Sequence, residues 1–289
     1  MTEELRLTIQ KVQQLLSNSE LSLHDAQVMG SWLLQIGAKI KGYNNFENSK
    51  ISGENFFINS ILSRLKPSLC VDVGANVGSY SEELLAALDA NVIAFEPLLA
   101  PYAELELLKG KYPDRFTPEN LAVGDKSGIS TISFNPAATE HASLIISHEN
   151  ISYINNSCTQ EIKTVSLDEY FTSRPDCPDF IKIDVEGFES EVLLGAQQLL
   201  LDSPPKCLQI EINWHQLFRR HSLWSLSQQL PGYHVYQLLP NAVCLKDPRD
   251  PLSNLFMFSN FIFVRADLVH LVPESLGLLG DWEYRQPQA

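Results

Sequence analysis

The chain has 289 residues, of which 44% are hydrophobic and 19% are charged, a composition that is typical of folded globular proteins and excludes disordered and collagen-like chains. Asp and Glu number 35 against 21 Lys and Arg, so the net charge is -14. A surface this acidic repels phosphate backbones and anionic lipid, and we expect no nucleic acid as partner. The sequence also contains no apolar run long enough for a membrane span. The acidic amino terminus and the five cysteines without a CxxC pair predict a cytoplasmic protein with reduced thiols.

An N-terminal helical segment is predicted over residues 1–54. Apolar residues recur at helical spacing from Met29 to Ile40, and Ser22 followed by Asp25 is typical of a helix N-cap. Such a segment could form a lid over a site, a surface for a homodimer, or a helical cap on a larger core.

Residues 55–289 alternate apolar, β-rich runs with helical stretches, which predicts an α/β domain with a doubly wound, mostly parallel Rossmann-like sheet. The predicted strands and helices are, in chain order, strand 69–73, helix 79–88, strand 91–95, helix 97–111, strand 116–123, strand 180–185, helix 190–201 and strand 207–212. A β insertion is predicted at about 125–165, and an antiparallel closing pair at 233–239 and 260–265.

The loop after the first strand begins at Gly74 and indicates the type of cofactor. The NAD fingerprint GxGxxG needs two later glycines, but Asn76 and Ser79 occupy those positions. A ligand with an adenosine and no pyrophosphate, such as S-adenosylmethionine, needs only small residues along this loop. Gly74, Ala75 and Gly78 supply them.

Two acidic residues complete the predicted cofactor site. Asp72, in the first strand, is placed to face the ammonium group of S-adenosylmethionine. Glu96 ends the second strand, where an acidic side chain accepts hydrogen bonds from the ribose hydroxyls. NAD enzymes use the same position, so Glu96 indicates an adenosine ribose without choosing between the two cofactors.

Four ordered blocks resemble the FkbM family of methyltransferases, and the match covers about residues 55–265. The blocks are Val71 to Gly78, Phe95-Glu96-Pro97, Asn120 to Asp125 and Ile181 to Glu189. The resemblance implies a class I methyltransferase fold and O-methylation of a hydroxyl on a small-molecule or glycan acceptor, namely a sugar, a glycolipid or a polyketide or peptide natural product. It also implies cofactor contacts at Asp72, Gly74, Asn76, Gly78 and Glu96, with Asn120 and Ala122 near the adenine.

Methyl transfer to an aliphatic hydroxyl also requires a group that takes up the hydroxyl proton. Asp184, at the carboxyl end of its strand, and Glu211, near the end of the next strand, are candidate catalytic residues. Together with Glu186 they could hold a divalent metal ion. The alternative bases are His141 in the β insertion and His215 after the last parallel strand.

Two other functions remain open at this point. One is an NAD-dependent oxidoreductase, which the broken phosphate loop disfavours. The other is a non-catalytic adaptor that keeps the fold and binds a partner through its acidic surface and N-terminal helices. The intact loop from Gly74 to Gly78, together with Glu96, counts against the adaptor.

Overall fold

The structure is a computed structural model, which describes residues 3–17, 22–143 and 156–273. The chain divides into two compact units, Met1–Asn44 and Asn45–Ala289. This boundary precedes the predicted one at residues 54 and 55, because the short helices that follow residue 48 pack on the second unit. A Cβ atom on Gly53, for example, would lie only 2.5 Å from the carbonyl oxygen of Leu239.

The first unit contains two helices, α1 (Glu3–Ser17) and α2 (Leu23–Ile40). The second helix begins with the predicted cap. The Ser22 hydroxyl accepts the backbone N–H of Asp25 at 3.1 Å and donates to the Asp25 carboxylate at 2.6 Å. This cap satisfies one of the N–H groups that a helix start leaves without an intrahelical partner.

The helices of the second unit flank its strands along the chain. They are α3 (Ser49–Ser52), α4 (Glu54–Phe57), a π-helical segment (Ile58–Leu62), α5 (Ser63–Leu65), α6 (Ser79–Ala87), α7 (Leu99–Lys111), α8 (Leu167–Thr172), α9 (Glu189–Leu194), α10 (Gln197–Asp202), α11 (His215–Arg219) and α12 (Leu223–Ser227), followed by 3-10 turns at Pro251–Ser253 and Ala266–Leu271.

Two sheets are present in the described residues. The main sheet contains β1 (Leu69–Val73), β2 (Asn91–Phe95), β3 (Phe116–Glu119), β8 (Phe180–Ile183), β9 (Cys207–Ile212), β10 (Tyr233–Leu239), β11 (Ala242–Leu245) and β12 (Ser259–Arg265). The second sheet contains β4 (Ala122–Val123), β5 (Gly128–Asn135), β6 (Ala138–Ser143) and β7 (Cys158–Val165).

The main sheet confirms the predicted Rossmann-like class I methyltransferase fold. Its strand order is β11-β10-β12-β9-β8-β1-β2-β3, and the five strands from β9 to β3 run parallel. β12 pairs antiparallel with both β9 and β10 and is therefore the predicted closing strand. The central strands are buried on both faces, as a parallel sheet between helices requires. Their carboxyl ends consequently share one edge of the sheet.

Some predicted elements differ from those in the structure. The predicted strand 116–123 is two strands in different sheets, because the chain turns at Asn120, whose side-chain amide donates to the carbonyls of Glu96 and Pro97 at 2.9 and 3.0 Å. The predicted helix 190–201 is interrupted near Gly195, where a Cβ atom would lie 2.0 Å from the carbonyl oxygen of Gly124. The segment predicted as a β insertion contributes β5, β6 and β7, and residues 144–155 within it lie outside the described residues.

Among the described residues, no helix has both the length and the apolar character to cross a membrane.

Candidate functional site

The loop between β1 and α6 lies directly against the carboxyl end of β8. Gly74 has a φ of 81°, and a Cβ atom on it would lie 1.8 Å from the carbonyl oxygen of Asp184. The Asp184 N–H donates to the carbonyl of Val73 at 3.0 Å. Only glycine permits this approach, because any side chain would displace the Asp184 backbone. The predicted cofactor loop and Asp184 are therefore adjacent.

Glu96 lies beside the same loop. Its side chain is buried, and its carboxylate accepts the backbone N–H groups of Asn76 at 2.9 Å and Leu98 at 2.8 Å. Burial raises the pKa of Glu96 to about 7, although these two bonds oppose the increase. Each carboxylate oxygen can accept a second hydrogen bond, which is the capacity that a ribose diol needs.

Asp72 is fully buried in the interior of β1. One carboxylate oxygen accepts the Ser81 hydroxyl at 2.7 Å. The other has no hydrogen-bond partner among the described residues and lies 3.8 Å from the ammonium group of Lys182. A buried carboxylate oxygen that accepts no hydrogen bond is suited to a cationic group. The assignment of Asp72 to the cofactor ammonium stays a prediction.

The three candidate carboxylates converge as the strand order predicts. One ligand atom each from Asp184, Glu186 and Glu211 lies within 4.8 Å of the others. Burial raises the pKa of Asp184, and burial followed by the negative charges of Asp184 and Glu186 raises the pKa of Glu211. A hydroxyl proton could be taken up here, and a divalent cation would find only oxygen donors, as Mg²⁺ prefers.

Lys182 is the cation of this cluster, and the sequence reasoning missed it. Its ammonium group is buried and lies 2.9 Å from the Asp184 carboxylate. Burial lowers the pKa of this lysine, but the carboxylates of Asp184 and Asp72 outweigh it and raise the pKa overall. The signal was a lysine inside the otherwise apolar strand β8, since a buried charge needs a partner.

The loop after β9 contributes His215 and Asn213, which are both buried. His215 Nδ1 lies 2.5 Å from the Glu186 carboxylate. The Asn213 amide nitrogen donates to Glu186 at 3.2 Å and to Glu211 at 3.0 Å. Sequence reasoning proposed His215 but missed Asn213. The histidine therefore joins the same cluster as the carboxylates.

The remaining predicted residues are Ala75, Asn76, Ala122 and His141. Ala75 is buried, and the Asn76 side chain accepts the hydroxyl of Thr139 in β6 at 3.1 Å. Ala122 is buried in β4, in the apolar cluster of the second sheet. The side chain of His141 lies outside the described part of the structure. The assignments of Ala75, Ala122 and His141 stay predictions.

The family model described as "Methyltransferase FkbM domain" matches residues 72–245. Hexuronic acid methyltransferase AglP of Haloferax volcanii is 32% identical over 130 residues, which are 45% of this chain and 50% of that protein. The chain thus spans about half the length of this curated relative.

Two solved structures are similar to most of this chain at low sequence identity. Precorrin-6y C5,15-methyltransferase from Geobacter metallireducens GS-15 is 12% identical with a TM-score of 0.40, and the match covers 77% of this chain and 92% of that chain. TYW2 of P. horikoshii, in complex with MeSAdo, is 15% identical with a TM-score of 0.38, and the match covers 76% and 63%.

Proposed function

Because the chain belongs to the FkbM family of methyltransferases, we propose that it transfers the methyl group of S-adenosylmethionine to a hydroxyl of a sugar, a glycolipid or a polyketide or peptide natural product. One observation carries the proposal: the loop that begins at Gly74 lies against the backbone of Asp184. A methyl donor in that loop would therefore sit beside a group able to take up the acceptor proton.

The residues of the β1–α6 loop fit the donor. S-adenosylmethionine supplies an activated methyl group on a sulfonium. Gly74 and Gly78, both with positive φ, place no side chain at two positions of the loop, and Glu96 offers acceptor capacity at the end of β2. The Asp72 oxygen that accepts no hydrogen bond in the described residues, and that lies 3.8 Å from Lys182, can also face the ammonium of the methionine part.

Replacing Glu96 should weaken cofactor binding without unfolding the chain. Glu96→Gln removes an acceptor for the ribose hydroxyls, and we expect the affinity for S-adenosylhomocysteine to fall by ~1–3 kcal/mol. Because the pKa of Glu96 is about 7, protonation at lower pH removes the same acceptor. Wild-type affinity should therefore fall about tenfold from pH 8 to pH 6, and the variant should lose this dependence.

Isothermal titration calorimetry at both pH values measures these affinities. Glu119→Gln is the matched control, because Glu119 ends the neighbouring strand and accepts the Tyr170 hydroxyl at 2.7 Å. We expect this control to bind S-adenosylhomocysteine as the wild type does. Unchanged binding by Glu96→Gln would remove Glu96 from the site.

We assign proton removal from the acceptor to the carboxylate cluster, with Asp184 first, Glu211 second and His215 as the histidine alternative. A raised pKa brings a carboxylate nearer to the working pH, which improves it as a general base. A divalent cation held by Asp184, Glu186 and Glu211 would instead make the acceptor hydroxyl more acidic. In both cases this chain's carboxylates face the reacting hydroxyl.

Chelation distinguishes a mechanism that uses a divalent cation from one that uses only a side-chain base. If the cluster works with a cation, EDTA should abolish methyl transfer and Mg²⁺ should restore it. Dialysis against buffer without chelator is the control for simple loss of activity. Full turnover in EDTA would assign proton removal to Asp184, Glu211 or His215 acting alone.

A sugar hydroxyl is the acceptor that we test first, because the relative AglP is a hexuronic acid methyltransferase. The assay follows radiolabelled methyl transfer from S-adenosylmethionine to methyl β-D-glucuronoside and methyl β-D-glucoside. Labelled product from either sugar supports the proposal. Label transfer to an amine or thiol acceptor, with no transfer to either of the two sugars, would contradict O-methylation.

For the first unit we propose a homodimer surface, since α2 carries Trp32, Ile36 and Ile40 at helical spacing. Light scattering of the full chain should give the mass of a dimer, and Ile36→Glu should give a monomer. A monomer mass for the wild type would contradict this proposal.

A further inference from the structure

The three carboxylates of the cluster come from two separate segments of the chain. Asp184 and Glu186 belong to the turn after β8, whereas Glu211 is held by the end of β9 and the loop that follows it. β8 and β9 pair directly and bring the carboxylates to one edge of the sheet. Partly buried like charges within 4.8 Å repel one another, so hydrogen bonds beyond the strand ends are needed to keep them in place.

Glu189 fixes the first of these loops. Its side chain is buried at 2% exposure, and one oxygen accepts the N–H groups of Gly187 at 3.0 Å and Val185 at 3.3 Å. Glu186 and Gly187 both have positive φ, at 55° and 97°. The turn that presents Glu186 is thus an unusual conformation, and the Glu189 carboxyl group satisfies its backbone donors.

Gln216 connects that turn to the second loop. It is 1% exposed. Its Nε2 donates to the second carboxylate oxygen of Glu189 at 2.8 Å, and its Oε1 accepts the N–H of Asn213 at 2.8 Å. Asn213 in turn donates to both Glu186 and Glu211. Gln216 Nε2 also donates to the backbone carbonyl of Glu211, at 3.4 Å. The Gln216 amide therefore connects the turn of Glu186 with the end of β9.

We propose that Glu189 and Gln216 are positioning residues, which hold the Glu186 and Glu211 carboxylates together at the acceptor end of the site. The role of these carboxylates in acceptor activation rests on the proposed function. Their spatial convergence does not, and it can be measured without an acceptor.

The proposal can be tested by exchanging the side chains of Glu189 and Gln216. In Glu189→Gln the new amide cannot accept the turn's N–H groups and also face Gln216 without one buried donor meeting another. In Gln216→Glu two carboxyl groups face each other. The double variant Glu189→Gln with Gln216→Glu restores the bonds to the turn, between the two side chains and to the Asn213 N–H, because the amide and the carboxyl group exchange places.

Tb³⁺ is the probe for convergence, because a lanthanide binds where several carboxylate oxygens meet. Trp214 can sensitise its luminescence, since the Trp214 ring lies 4.6 Å from the His215 ring, which contacts Glu186. We expect Glu189→Gln to weaken Tb³⁺ binding about tenfold or more, and the double variant to return within about threefold of wild type. Affinity for S-adenosylhomocysteine should stay within about twofold throughout.

Glu191→Gln is the matched control, because Glu191 joins the same two helices through Arg219 without touching the acidic turn. It should keep wild-type Tb³⁺ affinity. Equal Tb³⁺ affinity in wild type and Glu189→Gln, equal weakening in the control, or no rescue by the exchange would each overturn the proposal. A wild type that binds no Tb³⁺ would also overturn it, whereas failure to bind S-adenosylhomocysteine would count against the proposed function alone.

Discussion

Asp184→Asn should abolish methyl transfer while cofactor binding persists. Loss of the proton-accepting carboxylate is expected to lower turnover by roughly 10²–10⁴-fold. An asparagine oxygen can still accept the hydrogen bond that Lys182 donates at 2.9 Å, and the backbone contact with Gly74 is unchanged. The affinity for S-adenosylhomocysteine should therefore stay within about twofold of wild type. Steady-state turnover and calorimetry measure the two quantities separately.

Asp179→Asn is the control for this variant. Asp179 precedes the same strand at its opposite end, where it accepts the Ser68 N–H at 2.7 Å and pairs with Lys206 at 3.2 Å. We expect this substitution to lower thermal stability and to leave turnover of the folded protein unchanged. Near-normal turnover by Asp184→Asn would show that Asp184 is a structural residue and would transfer the role of base to Glu211 or His215.

Gly74→Ala should produce the largest loss of stability. Its backbone has a φ of 81°, and the new Cβ atom would lie 1.8 Å from the Asp184 carbonyl oxygen, so the loop and the end of β8 must separate. We expect a loss of at least ~3 kcal/mol in the free energy of unfolding, together with loss of S-adenosylhomocysteine binding.

Gly232→Ala is the control that measures the free-energy cost of a left-handed backbone without a close contact. Gly232 has nearly the same φ, 84°, but a Cβ atom there meets nothing within 4 Å. We expect it to lose only about 1–2 kcal/mol, the cost of left-handed backbone, and to bind the cofactor normally. Denaturant unfolding of both variants gives the comparison. Equal losses would show that the contact between Gly74 and Asp184 is looser than the structure indicates.

The sheet and the convergence of the three carboxylates could be predicted from the sequence for one physical reason. Buried parallel strands appear as apolar runs, and the carboxyl ends of parallel strands meet at one edge. Asp184 follows one such run and Glu211 lies near the end of the next. Their proximity could therefore be predicted from the strand order alone. Glu96 was placed by the same reasoning, beside the loop of Gly74.

What the sequence could not predict depends on contacts between distant segments. The role of Glu189 could not be predicted, because its partners Gly187 and Gln216 are fixed by a turn of positive φ and by a short helix that has no clear periodicity. The pairing of Lys182 with Asp72 could not be predicted, because Asp72 lies on the neighbouring strand and strand register is not visible in one sequence. The local sequence pattern predicted where the strands end, but the hydrogen-bond partners of the side chains there are known only from the structure.

Calorimetric titration with S-adenosylhomocysteine and, in parallel, with NAD tests the central proposal most directly. The loop at Gly74 and the carboxylate of Glu96 predict binding of S-adenosylhomocysteine and no response to NAD. Binding of NAD alone would contradict a methyl donor in this loop and favour an oxidoreductase. The absence of binding by either ligand would contradict a cofactor site and favour a non-catalytic adaptor.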